Sequence, residues 1–123
     1  MIEQLQDLPS NIVGIVCKGH VTSEDYKSVL EPAVEAAFKQ HDKVRLYYQV
    51  DPDFSGIEPG AMWEDLKTGV GHWLRWERIA VVTDVEWIRF SVRAFSFLMP
   101  GAVRVFALAE APAARAWIVG AEA

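Results

Sequence analysis

Short runs of apolar residues alternate along the chain with longer stretches in which apolar side chains recur every three or four positions. Residues 1–6 alternate weakly between apolar and polar side chains, and residues 12–19 form an apolar run after a turn cluster at residues 7–11. These two segments predict an edge strand paired with its neighbour in an antiparallel hairpin. Three later apolar runs predict further strands, of which the first two are central; they cover residues 43–51, 77–84 and 102–108.

Four segments carry the apolar period of helices. The first begins at Thr22, which has the spacing of a capping box with Asp25, and we expect a kink at Pro32 because proline lacks the N–H that the helix needs. The other three helices are predicted at residues 59–76, 85–99 and 110–120, and the loop at 51–60 is dense in Asp, Pro and Gly.

The predicted order of elements is ββαβαβαβα. Strands that alternate with helices indicate right-handed crossovers and a mostly parallel sheet with both faces covered. A chain of 123 residues is the length of one domain, so we expect a single α/β domain over residues 1–123.

Composition excludes several classes of function. The net charge is −5, which argues against a general nucleic-acid-binding protein because phosphate backbones require clustered positive charge. One cysteine allows no intrachain disulfide, and no apolar run reaches about 20 residues. The first residues are acidic and polar, so we expect no signal peptide, which would need a basic start and an apolar stretch. We therefore expect a cytoplasmic protein. The helix at residues 85–99 also allows peripheral contact with the inner face of the membrane.

The helix predicted at residues 85–99 is apolar on two sides. One stripe packs on the sheet, as in any α/β protein, and a second stripe lies about a third of a turn away. The first stripe comprises Ile88, Val92, Phe95 and Met99, the second comprises Trp87, Phe90, Ala94, Phe97 and Leu98, and the polar remainder is Glu86, Arg89, Arg93 and Ser96.

The second stripe requires a partner, and the pattern leaves four open. It packs beside the tryptophan-rich helix at 59–76 in one core, contacts a second copy in a homodimer, holds an apolar ligand between helices and sheet, or rests on a membrane surface. Arg89 and Arg93 stand four residues apart beside aromatic side chains, as basic residues do in helices that lie on anionic lipid. Their alternative role is a solvated edge with Glu86 as ion-pair partner.

Several stretches resemble the SpoIIAA-like proteins, a bacterial group whose fold is similar to STAS domains and to the lipid-binding half of CRAL-TRIO proteins. They are GHVTSEDY at 19–26, YYQVDPDFSGIEPGAMWEDL at 47–66, RIAVVTDVEWIRF at 78–90, FLMPGAVRVFAL at 97–108 and the A-x-A-W-I motif at 114–118. The resemblance implies a five-stranded mixed sheet with an antiparallel first strand and four helices. Its CRAL-TRIO side implies an apolar cavity near helices that move.

STAS regulators are switched by phosphorylation of a serine at a helix start. Here the corresponding turn, residues 57–60, contains no hydroxyl, and Ser55 lies earlier in the loop, where we favour a turn-forming role. A protein–protein regulator of the anti-sigma-factor-antagonist type, without the usual phosphoserine, is therefore the alternative reading.

No pattern of catalytic or metal-binding residues is present. His20, His41 and His72 are far apart, and Cys17 lies in a strand where it is best read as a core residue. Acidic residues crowd the loop at 51–60 and the helix start that follows; we read them as solvated charge that is favourable at a helix N-terminus rather than as an acid–base pair or cation site. We expect no catalytic residue, no metal and no cofactor.

The sequence thus predicts a non-enzymatic domain that binds an apolar small molecule or lipid through the helices at 59–76 and 85–99, with the loop at 51–60 at the ligand. The residues predicted to line the ligand are Phe54, Trp63, Trp73, Trp76, Trp87, Phe90 and Phe97. Those predicted to contact the membrane are Arg89, Arg93, Phe97 and Leu98.

Overall fold

The computed structural model of the protein describes residues 1–58, 75–97 and 101–120. The described part of the chain contains seven strands: β1 (Ile2–Gln4), β2 (Ile12–Cys17), β3 (His20–Val21), β4 (Val44–Val50), β5 (Gly56–Ile57), β6 (Trp76–Val82) and β7 (Ala102–Phe106). Five of them form the main sheet in the order β1-β2-β4-β6-β7. β1 pairs antiparallel with β2, and the other three pairings are parallel, which confirms the predicted mixed sheet.

The first helix, α1, spans residues 23–40 in three consecutive parts: Ser23–Asp25, a π-helical turn at Tyr26–Leu30, and Glu31–Gln40. The predicted capping box is present, because Thr22 Oγ1 accepts from the Asp25 N–H and Asp25 Oδ2 accepts from the Thr22 N–H. The helix is irregular two residues before Pro32, where we expect a kink: in the π-helical turn the Glu31 N–H reaches back to the Tyr26 carbonyl.

Two more helices are described, α2 (Glu86–Ser96) and α3 (Ala111–Val119), and a 3₁₀ turn at Leu108–Glu110 leads into α3. The helix predicted at 59–76 lies outside the described residues except for its last two positions. Those two correct the prediction, because Trp76 already belongs to β6. The residue type does not mark this boundary, because aromatic residues suit strands as well as helices.

The two faces of the sheet have separate cores. Alternate residues of the central strands point to opposite faces, and the first face is covered by α1 and by the start of α2, where Val85 and Ile88 pack. Chain order and spatial order agree along the main sheet from β2 to β7, and right-handed crossovers then place α1 and α2 on one face. The second face is covered by α3 together with Leu5 and Leu8 from the β1–β2 connection.

The loop predicted at 51–60 contains a short strand that the sequence does not reveal. β5 pairs parallel with β3 in a separate two-stranded sheet, and flanking backbone bonds join the Ser55 N–H to the Gly19 carbonyl at 2.8 Å and the Glu58 N–H to the Val21 carbonyl at 2.9 Å. Two residues are too few to show a period, and the Asp, Pro and Gly around them indicate a turn.

Two buried arginines hold the C-terminal end of α3. Arg45 Nη1 donates to the carbonyls of Ile118 and Gly120 at 2.8 and 2.5 Å, and its Nε donates to Glu77 at 2.7 Å. Arg78 Nη1 donates to the Trp117 carbonyl at 2.5 Å. The last carbonyls of a helix have no partner within it, so these guanidinium groups satisfy them and offset the negative end of the helix dipole.

A β-bulge in β6 positions Glu77 next to Arg45. Val44 pairs with Trp76 but Arg45 pairs with Arg78, so Glu77 is an extra residue in β6. The Glu77 carboxylate pairs with Arg45, whose partner on the neighbouring strand is another arginine, Arg78.

Candidate functional site

The candidate site is the outward face of α2, and the carboxyl end of β6 positions it. Thr83, which follows β6 directly, accepts a hydrogen bond from the Val85 N–H through Oγ1 at 3.0 Å. Asp84 Oδ1 accepts from the Leu108 N–H at 3.1 Å, which ties the start of the helix to the chain beyond β7. Glu86 adds an acidic side chain to the first turn, where the helix dipole favours it.

The second apolar stripe is exposed in the structure. Trp87, Phe90 and Phe97 have 49, 75 and 79% of their surface accessible, and Ala94 between them is also exposed. We call these four residues the aromatic stripe. Among the described residues, few other large apolar side chains are as accessible, and large exposed apolar surface marks an interaction site.

The two arginines of α2 differ in their surroundings. Arg89 is half-buried, and its Nη1 donates to the Thr83 carbonyl at 2.7 Å, so this guanidinium stabilises the start of its own helix. Arg93 is exposed, and so is Glu86. The pairing of Arg89 with a backbone carbonyl could not be read from spacing, since it depends on how the chain turns between β6 and α2.

Other residues predicted for the ligand lie elsewhere. Trp76 is only 5% exposed, and its ring packs edge-on against Phe38 with 5.0 Å between centroids. Phe54 is half-buried against the same core. Trp63, Trp73 and Leu98 lie outside the described residues. The structure thus brings Trp87, Phe90, Phe97 and Arg93 together on one surface and places Trp76 and Phe54 in or against the core.

A cleft of about 230 Å³ is present at the opposite edge of the sheet. It lies between the β1–β2 connection and a face of α1 built of small residues, Ala33, Ala36 and Ala37. None of the residues predicted to bind a ligand lines it.

The acidic loop has structural roles. Glu58 Oε1 accepts from the Ser23 N–H at 3.0 Å, Asp53 Oδ1 accepts from the Gly19 N–H at 3.4 Å, and Asp51 Oδ1 accepts from Gln49 Nε2 at 2.9 Å. In the described ranges, no three His, Cys, Asp or Glu side chains are grouped so that they could hold a metal ion. Ser55 is exposed and stands before a strand rather than at a helix start, which fits the turn-forming role.

Two titratable groups with shifted pKa values, Tyr47 and Asp7, lie on the far side of the sheet from the aromatic stripe. Burial raises the pKa of Tyr47, whose hydroxyl donates to Gln49 at 2.7 Å. A hydrogen bond from Arg115 lowers the pKa of Asp7. Both groups belong to the packing around α3, and neither faces α2.

The arginines under α3 are the residues that sequence reasoning missed. Arg45 and Arg78 occur inside the apolar runs KVRLYY and ERIAVV. A charged residue inside an otherwise buried strand needs a hydrogen-bond or ion-pair partner. That requirement could have identified both arginines as buried structural residues from the sequence.

No described helix is long and apolar enough to cross a membrane.

Comparisons with known proteins identify the fold and the family. No curated protein matches the chain. The crystal structure of an uncharacterized protein of the DUF3478 family from Shewanella loihica PV-4, described as having a SpoIIAA-like fold, is similar with a TM-score of 0.69 and 22% identity, over 95% of this chain and 93% of that one. The SpoIIAA-like family model matches residues 12–119. The chain therefore belongs to the SpoIIAA-like family.

Proposed function

We propose that this protein is a non-enzymatic binding domain whose aromatic stripe on α2 binds an apolar or lipid-like ligand. The same stripe associates peripherally with the inner face of a membrane. The observation that carries the proposal is the exposure of Trp87 and Phe90 on α2 and of Phe97 directly after the end of that helix. The SpoIIAA-like fold is generally non-enzymatic, and the acids of the 51–58 loop are engaged by backbone and side-chain donors.

The energetics favour burial of the stripe in lipid. Full burial of a large apolar side chain gains roughly 1.5–3 kcal/mol. Three half-inserted aromatic rings therefore supply several kcal/mol, which is the range of weak, reversible membrane association. Aromatic side chains also suit the boundary between acyl chains and headgroups.

The size of the stripe argues against a second copy as the partner. A helix of 11 residues is about 16 Å long, and one side of it offers a strip of on the order of 200 Å². Stable protein interfaces bury about 800 Å² on each partner and need complementary shape. A lipid bilayer can bury the aromatic stripe without presenting a surface of complementary shape.

Vesicle flotation tests the proposal with a double variant, Phe90→Ser with Phe97→Ser. Removing two exposed aromatic rings is expected to weaken binding to phosphatidylcholine vesicles at least about tenfold, because two half-inserted rings together contribute at least about 1.4 kcal/mol. Exposed positions contribute little to folding, so the unfolding midpoint stays near that of the wild type.

Val119→Ser is the matched control, because Val119 is an apolar side chain, 46% exposed, on α3 at the opposite face of the sheet. It should bind vesicles as the wild type does. Equal binding by the wild type and the double variant, or no binding by either, would show that the aromatic stripe is not a lipid surface.

A further inference from the structure

The charge around the aromatic stripe is balanced. Residues 84–97 contain two acids, Asp84 and Glu86, and two bases, Arg89 and Arg93, and the whole chain has a net charge of −5. Helices that bind anionic lipid by attraction carry an excess of basic residues along their polar face. The described part of α2 has no such excess.

The positive charge of α2 that a membrane could reach is smaller than its count of two arginines. Arg89 donates to the Thr83 carbonyl at 2.7 Å and is half-buried, so it is committed within the protein. Arg93 is exposed on the described helix, but Glu86 stands seven residues, about two turns, before it. The two therefore lie on the same flank of the stripe, and their opposite charges offset each other at a membrane surface. The other flank carries Ser91, which has no charge.

We infer that the aromatic stripe recognises loosely packed zwitterionic bilayers, through gaps between headgroups, rather than the negative charge of anionic lipids. This inference rests on the proposed function and names the class of lipid. Phe90 is 75% exposed and Phe97 is 79% exposed, so their rings can enter such gaps without rearrangement of the helix. Apolar insertion of this kind depends on curvature and acyl-chain packing.

The test compares small and large vesicles of unsaturated phosphatidylcholine, with and without phosphatidylglycerol, at about 0.1 M and about 1 M salt, where the screening length falls from about 10 to about 3 Å. The expected result is binding to phosphatidylcholine alone, stronger on small vesicles and little changed by salt. Each basic residue acting on an anionic surface would instead contribute about fivefold, lost at high salt.

Two variants sharpen the comparison. Arg93→Gln should not change the ratio of binding between phosphatidylcholine vesicles and vesicles that contain phosphatidylglycerol, because the negative charge of the headgroups does not contribute to recognition. Glu86→Lys converts the balanced flank into a basic one and should add at least about fivefold salt-sensitive preference for phosphatidylglycerol. A thermal melt of each variant checks that the fold is retained.

The outcomes separate the two proposals. Binding that requires phosphatidylglycerol and disappears at high salt overturns the inference and leaves the lipid-binding function standing. Absence of binding to every vesicle overturns the function as well. If sedimentation also shows a dimer that the Phe90→Ser, Phe97→Ser variant dissociates, the occupant of the stripe is a second copy.

Discussion

Trp76→Ala is expected to lower the free energy of unfolding by about 3–5 kcal/mol. Trp76 is buried at the start of β6, where its ring meets Phe38 of α1 edge to face, so truncation leaves a cavity between the sheet and that helix. For a chain of this length about 4 °C is lost per kcal/mol, so the melting midpoint should fall by about 12–20 °C. Chemical denaturation followed by circular dichroism measures the difference.

Trp87→Ala is the matched control, since the same side chain is removed from an exposed position on α2. Its effect on stability should stay within about 0.5 kcal/mol, while its effect on vesicle binding should be clear. If both tryptophan variants lost the same stability, or if Trp76→Ala weakened vesicle binding without loss of stability, the division between core and surface tryptophans would be wrong.

Arg45→Ala is expected to cost about 3–5 kcal/mol of stability. The variant removes the donor for the Ile118 and Gly120 carbonyls and leaves Glu77 without its 2.7 Å ion pair. These groups lie where α3 meets β4 and β6, so the loss should loosen α3 first. Hydrogen exchange should accordingly show faster exchange in α3 than in α1.

Arg115→Ala provides the comparison. Arg115 belongs to α3 itself and pairs with Asp7 at 2.9 Å, but both side chains are substantially exposed. An exposed ion pair is screened by water, so the unfolding midpoint should remain close to that of the wild type. Similar losses for the two arginine variants would contradict the assignment of Arg45 as the buried support of α3.

Periodicity was sufficient to predict the main sheet. The short apolar runs gave β2, β4, β6 and β7 within two residues of their observed bounds, because buried strands carry a strong apolar signal. The capping box at Thr22 and Asp25 placed the start of α1 correctly. The two residues of β5 were missed, because a parallel pairing between His20–Val21 and Gly56–Ile57 depends on distant parts of the chain.

The candidate site was predictable in composition but not in detail. The helical wheel separated Ile88, which packs on the core, from Phe90, which is exposed. It could not show that Arg89 turns back to Thr83 or that Trp76 enters a strand, since both depend on backbone geometry at element ends. Such ends are the least certain part of any pattern-based prediction.

Contact between Trp87 and acyl chains is the most direct test of the central claim. Bromine atoms attached to acyl chains quench tryptophan fluorescence on contact, and the chain contains five tryptophans, so variants are needed to assign the signal. We predict that vesicles of brominated phosphatidylcholine quench the wild type and a Trp117→Phe variant, whose substituted residue packs on the second face. Trp87→Phe should lose that quenching while it still binds the vesicles. Quenching that persists unchanged in Trp87→Phe, or wild-type protein that binds without any quenching, would contradict insertion of the aromatic stripe into lipid.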